Sequence, residues 1–201
     1  MTSFNNPNSP TGFTPIKQGR GGGVIRPNNY SDYSIAGAYG TNIFRGDLVV
    51  PTGTGTNLAI VASGDNLSIG PFKGCNFVDS SSQTQFKPYW PASQAVLTGS
   101  VVEASVFDDP DTLFDCQVSG TAGLVSTNIG NTCNINTSVA GNTTTGNSGE
   151  QADQGTLSSS STTQQLQVQA LRALSNNAYG QYARAAVSIY LHYRNAAVTA
   201  F

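Results

Sequence analysis

Segment 101–118 constrains the fold most strongly, because apolar and polar residues alternate along both of its halves. Side chains two residues apart share one face of a strand, so this alternation predicts strands with one face turned toward a core. The second half places Phe114 and Cys116 on that face. The sequence Asp-Asp-Pro-Asp between the halves is typical of a turn. We therefore predict that the segment forms one β-hairpin.

The same alternation recurs elsewhere in the chain and predicts an all-β fold. We expect an antiparallel β-sandwich or barrel-like domain, built from hairpins and preceded by an extended N-terminal arm. A second hairpin is predicted where an Asp-Ser-Ser-Ser turn separates two strand-like runs. The additional segments predicted as strands are 43–50, 58–62, 74–78, 85–90, 166–170 and 183–194.

We divide the chain into an arm, residues 1–42, and a β domain, residues 43–201, with a long loop at about 120–160 that is rich in Gly, Ser, Thr and Asn. The start of the arm has neither helical nor strand periodicity, so by itself it cannot offset its ordering entropy by burial. We expect it to order on a partner; the alternative is a disordered terminus. Its predicted contact residues are aromatic or cationic: Phe4, Phe13, Lys17, Arg20, Arg26, Tyr30 and Tyr33.

The composition limits the partners that this chain can have. Charged residues make up 10% of the 201 residues, whereas an ordinary soluble domain has about 25%. The net charge of −2 provides no basic field for nucleic acid. No run of about 18 apolar residues occurs, and the first residues lack a signal-peptide pattern. We expect a chain made in a cytoplasm that neither binds nucleic acid nor spans a membrane.

Asp108, Asp109 and Asp111 are weak candidates for binding a hard cation, because carboxylates are its preferred ligands. Calcium requires six to eight oxygen atoms, and Glu150 lies in a tract with no fixed geometry predicted. The three cysteines lack zinc-site spacing. We expect a plain acidic turn, no bound metal and no cofactor.

His192, the only histidine, is predicted on the polar face of the last strand, where no nucleophile can be placed beside it. We therefore expect no enzymatic activity. Trp90 lies between two prolines and is predicted as a core or edge aromatic. Its alternative role is an exposed sugar-stacking site together with Tyr89. The Arg-Gly-Asp sequence at 45–47 is predicted to form a tight bend.

Several short motifs follow one another at 45–49, 69–72, 74–75, 86–91 and 106–111. Taken in order, they make the chain similar to the capsid decoration, or cement, proteins of tailed bacteriophages, which are made in the cytoplasm of a bacterial host. The resemblance implies a mostly β protein, often a homotrimer, located in the virion on the outside of an icosahedral capsid. It implies that the chain binds the major capsid protein and clamps neighbouring capsomers after the head expands. The alternative is a sugar-binding module of the virion surface that attaches to a receptor or glycan.

Overall fold

A computed structural model of the chain describes residues 6–18, 30–52, 57–65 and 67–196. The described residues form a mostly β, sandwich-like domain of antiparallel sheets, which confirms the predicted all-β class. The strands are β1 Thr14–Gln18, β2 Ser31–Ile35, β3 Leu48–Pro51, β4 Leu58–Ile60, β5 Gly70–Val78, β6 Thr84–Lys87, β7 Val102–Val106, β8 Thr112–Gln117, β9 Thr132–Cys133, β10 Ile135–Asn136, β11 Gln151–Ala152, β12 Leu166–Leu171 and β13 Arg184–Ile189. They are followed by one helical turn, α1 Tyr193–Ala196.

The strands form two main sheets. Sheet I has the order β1-β8-β13-β12-β9, and sheet II has the order β2-β7-β5-β3-β4, with β6 also paired to β5. Sheet II curls until its end strands meet at a single bridge, where Ser34 Oγ lies 2.9 Å from Asn57 Oδ1. No continuous ladder joins β2 to β4 among the described residues, so the barrel stays open.

Two hydrophobic cores lie on either side of β3. Leu48 belongs to the core of sheet I, which is centred on Phe114, Leu166 and Val187. The next residue, Val49, belongs to the core of sheet II, where Trp90 is completely buried. Successive side chains of a strand point to opposite faces, so β3 is apolar on both faces and connects the two cores.

Segment 101–118 forms two strands as predicted, but they do not pair as a hairpin. β7 pairs with β2 and β5 in sheet II, whereas β8 pairs with β1 and β13 in sheet I. The acidic turn therefore crosses from one sheet to the other. Alternation identifies strands but carries no information about which strands pair, and this explains the wrong prediction.

The described parts of residues 1–42 pack onto the domain instead of extending from it as an arm. Phe13 is only 2% exposed and lies in the core of sheet I. β1 pairs with β8, and β2 pairs with β7, so both segments contribute edge strands. Backbone pairing to an existing sheet explains the order of a segment that lacks periodicity of its own.

The tract at 120–160 was expected to contain short irregular strands and a long surface loop; it does form short strands, and it also covers the core of sheet I. Its apolar residues Leu124, Cys133 and Ile135 are buried, and β9 extends sheet I beside β12. β10 and β11 form a separate two-stranded ladder within this tract. Isolated apolar residues in a polar sequence thus mark short core-facing strands here.

The second predicted hairpin is confirmed by the antiparallel pairing of β5 with β6, whereas β12 and β13 were predicted only as two strands and form a further antiparallel pair. The last strand was predicted to continue to residue 194, but β13 ends at Ile189 and the chain turns into α1. This turn buries His192, which was expected on a polar strand face.

Candidate binding surface

A cavity of about 570 Å³ opens where the N-terminal segment meets the bend at 45–47 and strand β5. Phe13, Phe72 and Phe107 give it an apolar lining. Arg45 and Lys73 add two cationic side chains to the same lining. A site of this size that combines apolar and charged groups has the character of a binding pocket.

Two glycines allow the chain segments around this cavity to approach closely. Gly46 has a φ of +95°, and its carbonyl accepts a 2.9 Å hydrogen bond from the Phe13 amide. A Cβ at Gly12, whose φ is +68°, would lie 2.5 Å from Ser148 Cβ. L-residues with side chains rarely adopt such angles, so glycine is required at both positions. The predicted bend at 45–47 is therefore confirmed.

Two buried carboxyl groups support the bend beside the cavity. Asp47 Oδ2 accepts a 2.6 Å hydrogen bond from the Phe44 amide. Glu150 Oε2 accepts a 2.9 Å hydrogen bond from the Leu48 amide, and the Glu150 amide donates to Ser148 Oγ. Glu150 was expected in a tract without fixed geometry, but it is 3% exposed and joins that tract to β3.

The pKa values of both carboxyl groups are raised because the groups are buried. Burial raises the pKa of Asp47 to about 6, although hydrogen bonds from Ser148 and the Phe44 amide lower it. Burial, and then the charge of Asp47, raise the pKa of Glu150 well above its ordinary value. Glu150 Oε1 has no hydrogen-bond partner among the described residues. The pair therefore favours a protonated form.

A second depression, a groove of about 400 Å³, adjoins the cavity and shares Lys73 with it. It runs along β6 and is lined by Asn76, Phe86 and Lys87, among others. Phe86 is 77% exposed, the highest value among the exposed large hydrophobic residues of the described chain. We call the cavity and groove together the basic cleft, with Arg45, Lys73, Phe86 and Lys87 as its defining residues.

A β-bulge directs Lys73 into the basic cleft. Phe72 pairs with Val106 and Gly74 pairs with Ser105, so Lys73 is an extra residue in β5. Bulges bend a strand and redirect a side chain, and they are common beside functional sites. Lys73 therefore stands where the cavity and the groove meet.

The three cations of the basic cleft form no ion pair within the described residues. Arg45 Nη2 donates a 2.6 Å hydrogen bond to Asn147 Oδ1, and Lys73 Nζ lies 3.4 Å from the centroid of the Tyr30 ring. Lys87 Nζ lies 5.8 Å from the Phe77 ring centroid. The ion pairs of the described chain use other cations, namely Arg172, Arg184 and Arg194. The positive charges of Arg45 and Lys73 are thus available to an anionic partner.

The predicted arm residues that the structure describes are spread over different parts of the domain. Phe13 lines the basic cleft from the core, Lys17 lies in the edge strand β1, and Tyr30 contacts Lys73. Tyr33 instead donates a 2.7 Å hydrogen bond to Asp108. The remaining predicted contact residues, Phe4, Arg20 and Arg26, lie outside the described residues.

The predicted surface aromatic site at Tyr89 and Trp90 is not formed. Trp90 is 0% exposed, and its Nε1 donates a 3.1 Å hydrogen bond to the Tyr39 carbonyl. Tyr89 is half-buried and stacks on Phe44, with 5.4 Å between the ring centroids. Trp90 is therefore unable to stack on a sugar, and Phe44 occupies one face of the Tyr89 ring.

The three aspartates of the acidic turn point to separate partners and do not converge on one cation. Asp108 is buried, forms a salt bridge to Arg194 and accepts a hydrogen bond from Tyr33. Asp109 Oδ1 accepts a 2.9 Å hydrogen bond from the Asp111 amide. In the described part of the chain, no three His, Cys, Asp or Glu side chains form a metal-binding group.

His192 has a structural position at the start of α1. Its Nδ1 accepts a 3.2 Å hydrogen bond from the Arg194 amide, so the neutral ring carries its proton on Nε2. Burial lowers the pKa of His192. Nε2 is buried and has no hydrogen-bond partner among the described residues. The ring is too deeply buried to meet a substrate.

Sequence reasoning did not identify Lys73, Phe86 or Lys87 as binding residues. The only available signal was an aromatic residue next to a lysine in a predicted strand, which core packing explains equally well. The bulge that directs Lys73 has no signature in the sequence.

The described residues thus form an all-β, sandwich-like domain whose surface carries a cleft with apolar and cationic side chains. Comparisons with known protein families, curated proteins and solved structures each found no match. Among the described residues, no helix has the length and apolar character needed to cross a membrane.

Proposed function

We propose that this chain is a non-enzymatic structural protein of a bacteriophage virion. In this proposal it binds the outer surface of an icosahedral capsid and stabilises the joints between capsomers of the expanded head. The basic cleft carries the proposal, because it joins an exposed aromatic side chain to cations without ion-pair partners. Such a surface fits an extended, acidic segment of the major capsid protein.

The strand β6 provides a way for that segment to bind. It pairs only with β5 among the described strands, so its other edge has no sheet partner. An extended peptide can add to such an edge through backbone hydrogen bonds, while side-chain pockets give specificity. Phe86 would supply the apolar anchor, and Lys73 would pair with a carboxylate of the segment.

Selective binding to the expanded capsid would explain how the protein stabilises that capsid without catalysing a reaction. A protein that binds only the expanded lattice stabilises it by differential affinity. Many copies that each bind weakly act together through multivalency. The resemblance to decoration proteins adds that the chain forms a homotrimer, which light scattering of the purified protein would test.

Cosedimentation tests the proposal directly. The purified chain is mixed with empty, expanded capsids of the phage that encodes it, prepared without this component, and separately with unexpanded shells. We expect saturable binding to the expanded capsids alone. Failure to bind either form, or equal binding to both, would overturn the proposed clamping function.

The same assay separates the basic cleft from the N-terminal segment. Lys73→Ala removes a cation of the cleft, whereas Lys17→Ala removes one from β1, outside the cleft lining. We expect Lys73→Ala to weaken binding at least five-fold more than Lys17→Ala, on the order of 1 kcal/mol. The reverse order would place the contact in the predicted arm residues and reject the cleft.

A further inference from the structure

A third depression lies on the outer face of sheet I, away from the basic cleft. It has a volume of about 430 Å³ and runs across β12 and β13 to the acidic turn and α1. Its side chains are mostly amides and other neutral polar groups. We call it the amide groove, and its defining residues are Asp111, Gln167, Gln169, Ser188, Tyr190 and Asn195.

A β-bulge places a side chain in this groove, just as the bulge at Lys73 places one in the basic cleft. Val168 pairs with Val187 and Ala170 pairs with Ala186, which leaves Gln169 as an extra residue in β12. Gln169 Nε2 donates hydrogen bonds of 2.9 Å to Gln167 Oε1 and 2.8 Å to Ser188 Oγ. The bulge thus fixes three polar side chains into one network.

The network is anchored but still has hydrogen-bonding capacity. Gln167 Nε2 donates a 3.0 Å hydrogen bond to the Gly130 carbonyl, which fixes its orientation. Gln169 Oε1 and the Asn195 side-chain amide form no hydrogen bonds within the described residues, and the Ser188 hydroxyl can still donate. Adjacent acceptors and donors match the neighbouring hydroxyls of a sugar, each of which both donates and accepts.

Tyr190 adds an aromatic side chain to one wall. It is 39% exposed, so part of its ring is available to a ligand. The apolar C–H face of a pyranose can pack on such a ring while its hydroxyls bind the amides, since tyrosine combines an apolar body with a polar tip. A preformed network also lowers the entropic cost of binding.

The charges around the groove select among sugars. Asp111 is its only charged lining residue, and no lysine or arginine lines it in the described chain. A carboxylate repels anionic sugars but accepts hydrogen bonds from neutral ones. The volume lies in the range of small-molecule sites, about 300–1,000 Å³.

We propose that the amide groove binds a neutral pyranose residue of a glycan. This site uses neither Tyr89 nor Trp90, and it does not depend on the basic cleft or on capsid attachment. A virion protein with such a site would bring the particle to a polysaccharide surface, but the binding itself is independent of that role.

Saturation-transfer NMR tests this inference on the full chain. The probes are the methyl glycosides of glucose, galactose, mannose and N-acetylglucosamine at about 20 mM, above the millimolar Kd expected for one shallow site. Methyl glucuronide is the acidic comparison. We expect saturation transfer to at least one neutral glycoside and a weaker or absent signal with the glucuronide. Absence of transfer to every neutral glycoside would overturn the proposal, as would stronger transfer to the glucuronide.

Matched variants locate the site. Gln169→Ala and Tyr190→Ala should each reduce affinity about 10-fold or more, whereas Tyr190→Phe should retain most of it. Tyr179→Ala is the control, because Tyr179 is 45% exposed and lies outside the groove lining. Because Tyr190 is exposed, its replacement leaves both cores intact, and circular dichroism would verify the fold. An equal loss in Tyr179→Ala, or unchanged binding in both groove variants, would reject the amide groove as the site.

Discussion

Lys73 and Gln169 occupy the same kind of backbone position in the two sheets, yet they present different chemistry. Each is the extra residue of a β-bulge beside a depression of several hundred Å³. Lys73 brings a charge without an ion-pair partner to an apolar cavity, whereas Gln169 enters a network of neutral amides. A bulge therefore determines where a side chain is presented, and the residue type determines which partner it suits.

The structures beneath the two bulges also differ. The bend beside the basic cleft rests on the buried carboxyl groups of Asp47 and Glu150. The amide groove rests on neutral hydrogen bonds, such as that from Gln167 to the Gly130 carbonyl. A change in protonation should therefore alter the stability of the bend beside the basic cleft, but it should not alter the hydrogen-bond network of the amide groove.

The largest expected effect is the pH dependence of the bend beside the cleft. Burial raises the pKa of Asp47 from 3.8 to about 6, so the folded state binds this proton more tightly than the unfolded state. Its stabilising contribution is complete below the unfolded pKa and is lost as the pH rises through about 6. The loss amounts to about 3 kcal/mol.

Urea denaturation of the wild type and of Asp47→Asn between pH 4 and pH 7 measures this contribution. We expect the two free-energy curves to diverge by about 2.4 kcal/mol across that interval, because part of the contribution is already lost at pH 4. Asp111→Asn, which alters an exposed carboxyl group of the amide groove, is the control and should follow the wild type. Parallel curves for the wild type and Asp47→Asn would show that the buried pair does not set the pH dependence.

The next effect concerns the close approach at Gly46. A Cβ there would lie 3.0 Å from the Phe13 amide nitrogen at a φ of +95°. Gly130, beside the amide groove, has a φ of +90°, but a Cβ added to it would have no neighbour within 4 Å. We expect Gly46→Ala to cost about 2–3 kcal/mol and Gly130→Ala about 1 kcal/mol, measured by thermal unfolding. Equal losses of stability in the two variants would mean that the positive φ alone determines the loss and that Gly46 is not closely packed against Phe13.

The third effect tests the apolar part of the cleft. Phe86→Ser removes the exposed ring and should weaken binding to expanded capsids about 10-fold, or about 1.4 kcal/mol. Val101→Ser is the matched control, because Val101 is 67% exposed and lies outside the cleft lining. The comparison fails if Val101→Ser weakens capsid binding as much as Phe86→Ser does.

The smallest effect is that of salt. Exposed charges are screened by added salt, so capsid binding through the basic cleft should weaken about five-fold between about 50 and 200 mM NaCl. Sugar binding in the amide groove uses neutral groups and should change less than about two-fold over the same range. Titrations of both ligands at the two salt concentrations measure this contrast. A salt-independent capsid titration would exclude the cations as the main contacts.

The sequence predicted the strands better than their partners. Alternation located β7, β8, β12 and β13, because burial of one face imposes a period of two. It could not show that β7 and β8 belong to different sheets, since both arrangements bury the same side chains. A local pattern cannot distinguish a hairpin turn from a connection between sheets.

The binding surface was even less predictable from the sequence. The position of Lys73 depends on a bulge, and the position of Glu150 depends on contacts with β3 far away in the chain. For Trp90 the sequence was ambiguous, because its neighbouring prolines are compatible with either a position at a sheet edge or a buried one, and the structure buries it. Long-range packing decides each of these cases.

One measurement tests the central claim, that the basic cleft is the surface that binds the capsid. Quantitative cosedimentation with expanded capsids would compare the wild type, Lys73→Glu and Gln169→Ala, which alter the two bulges one at a time. We predict that Lys73→Glu binds about 30-fold more weakly, or about 2 kcal/mol, and that Gln169→Ala stays within about two-fold of the wild type. Wild-type binding by Lys73→Glu, or an equal loss in Gln169→Ala, would contradict the claim.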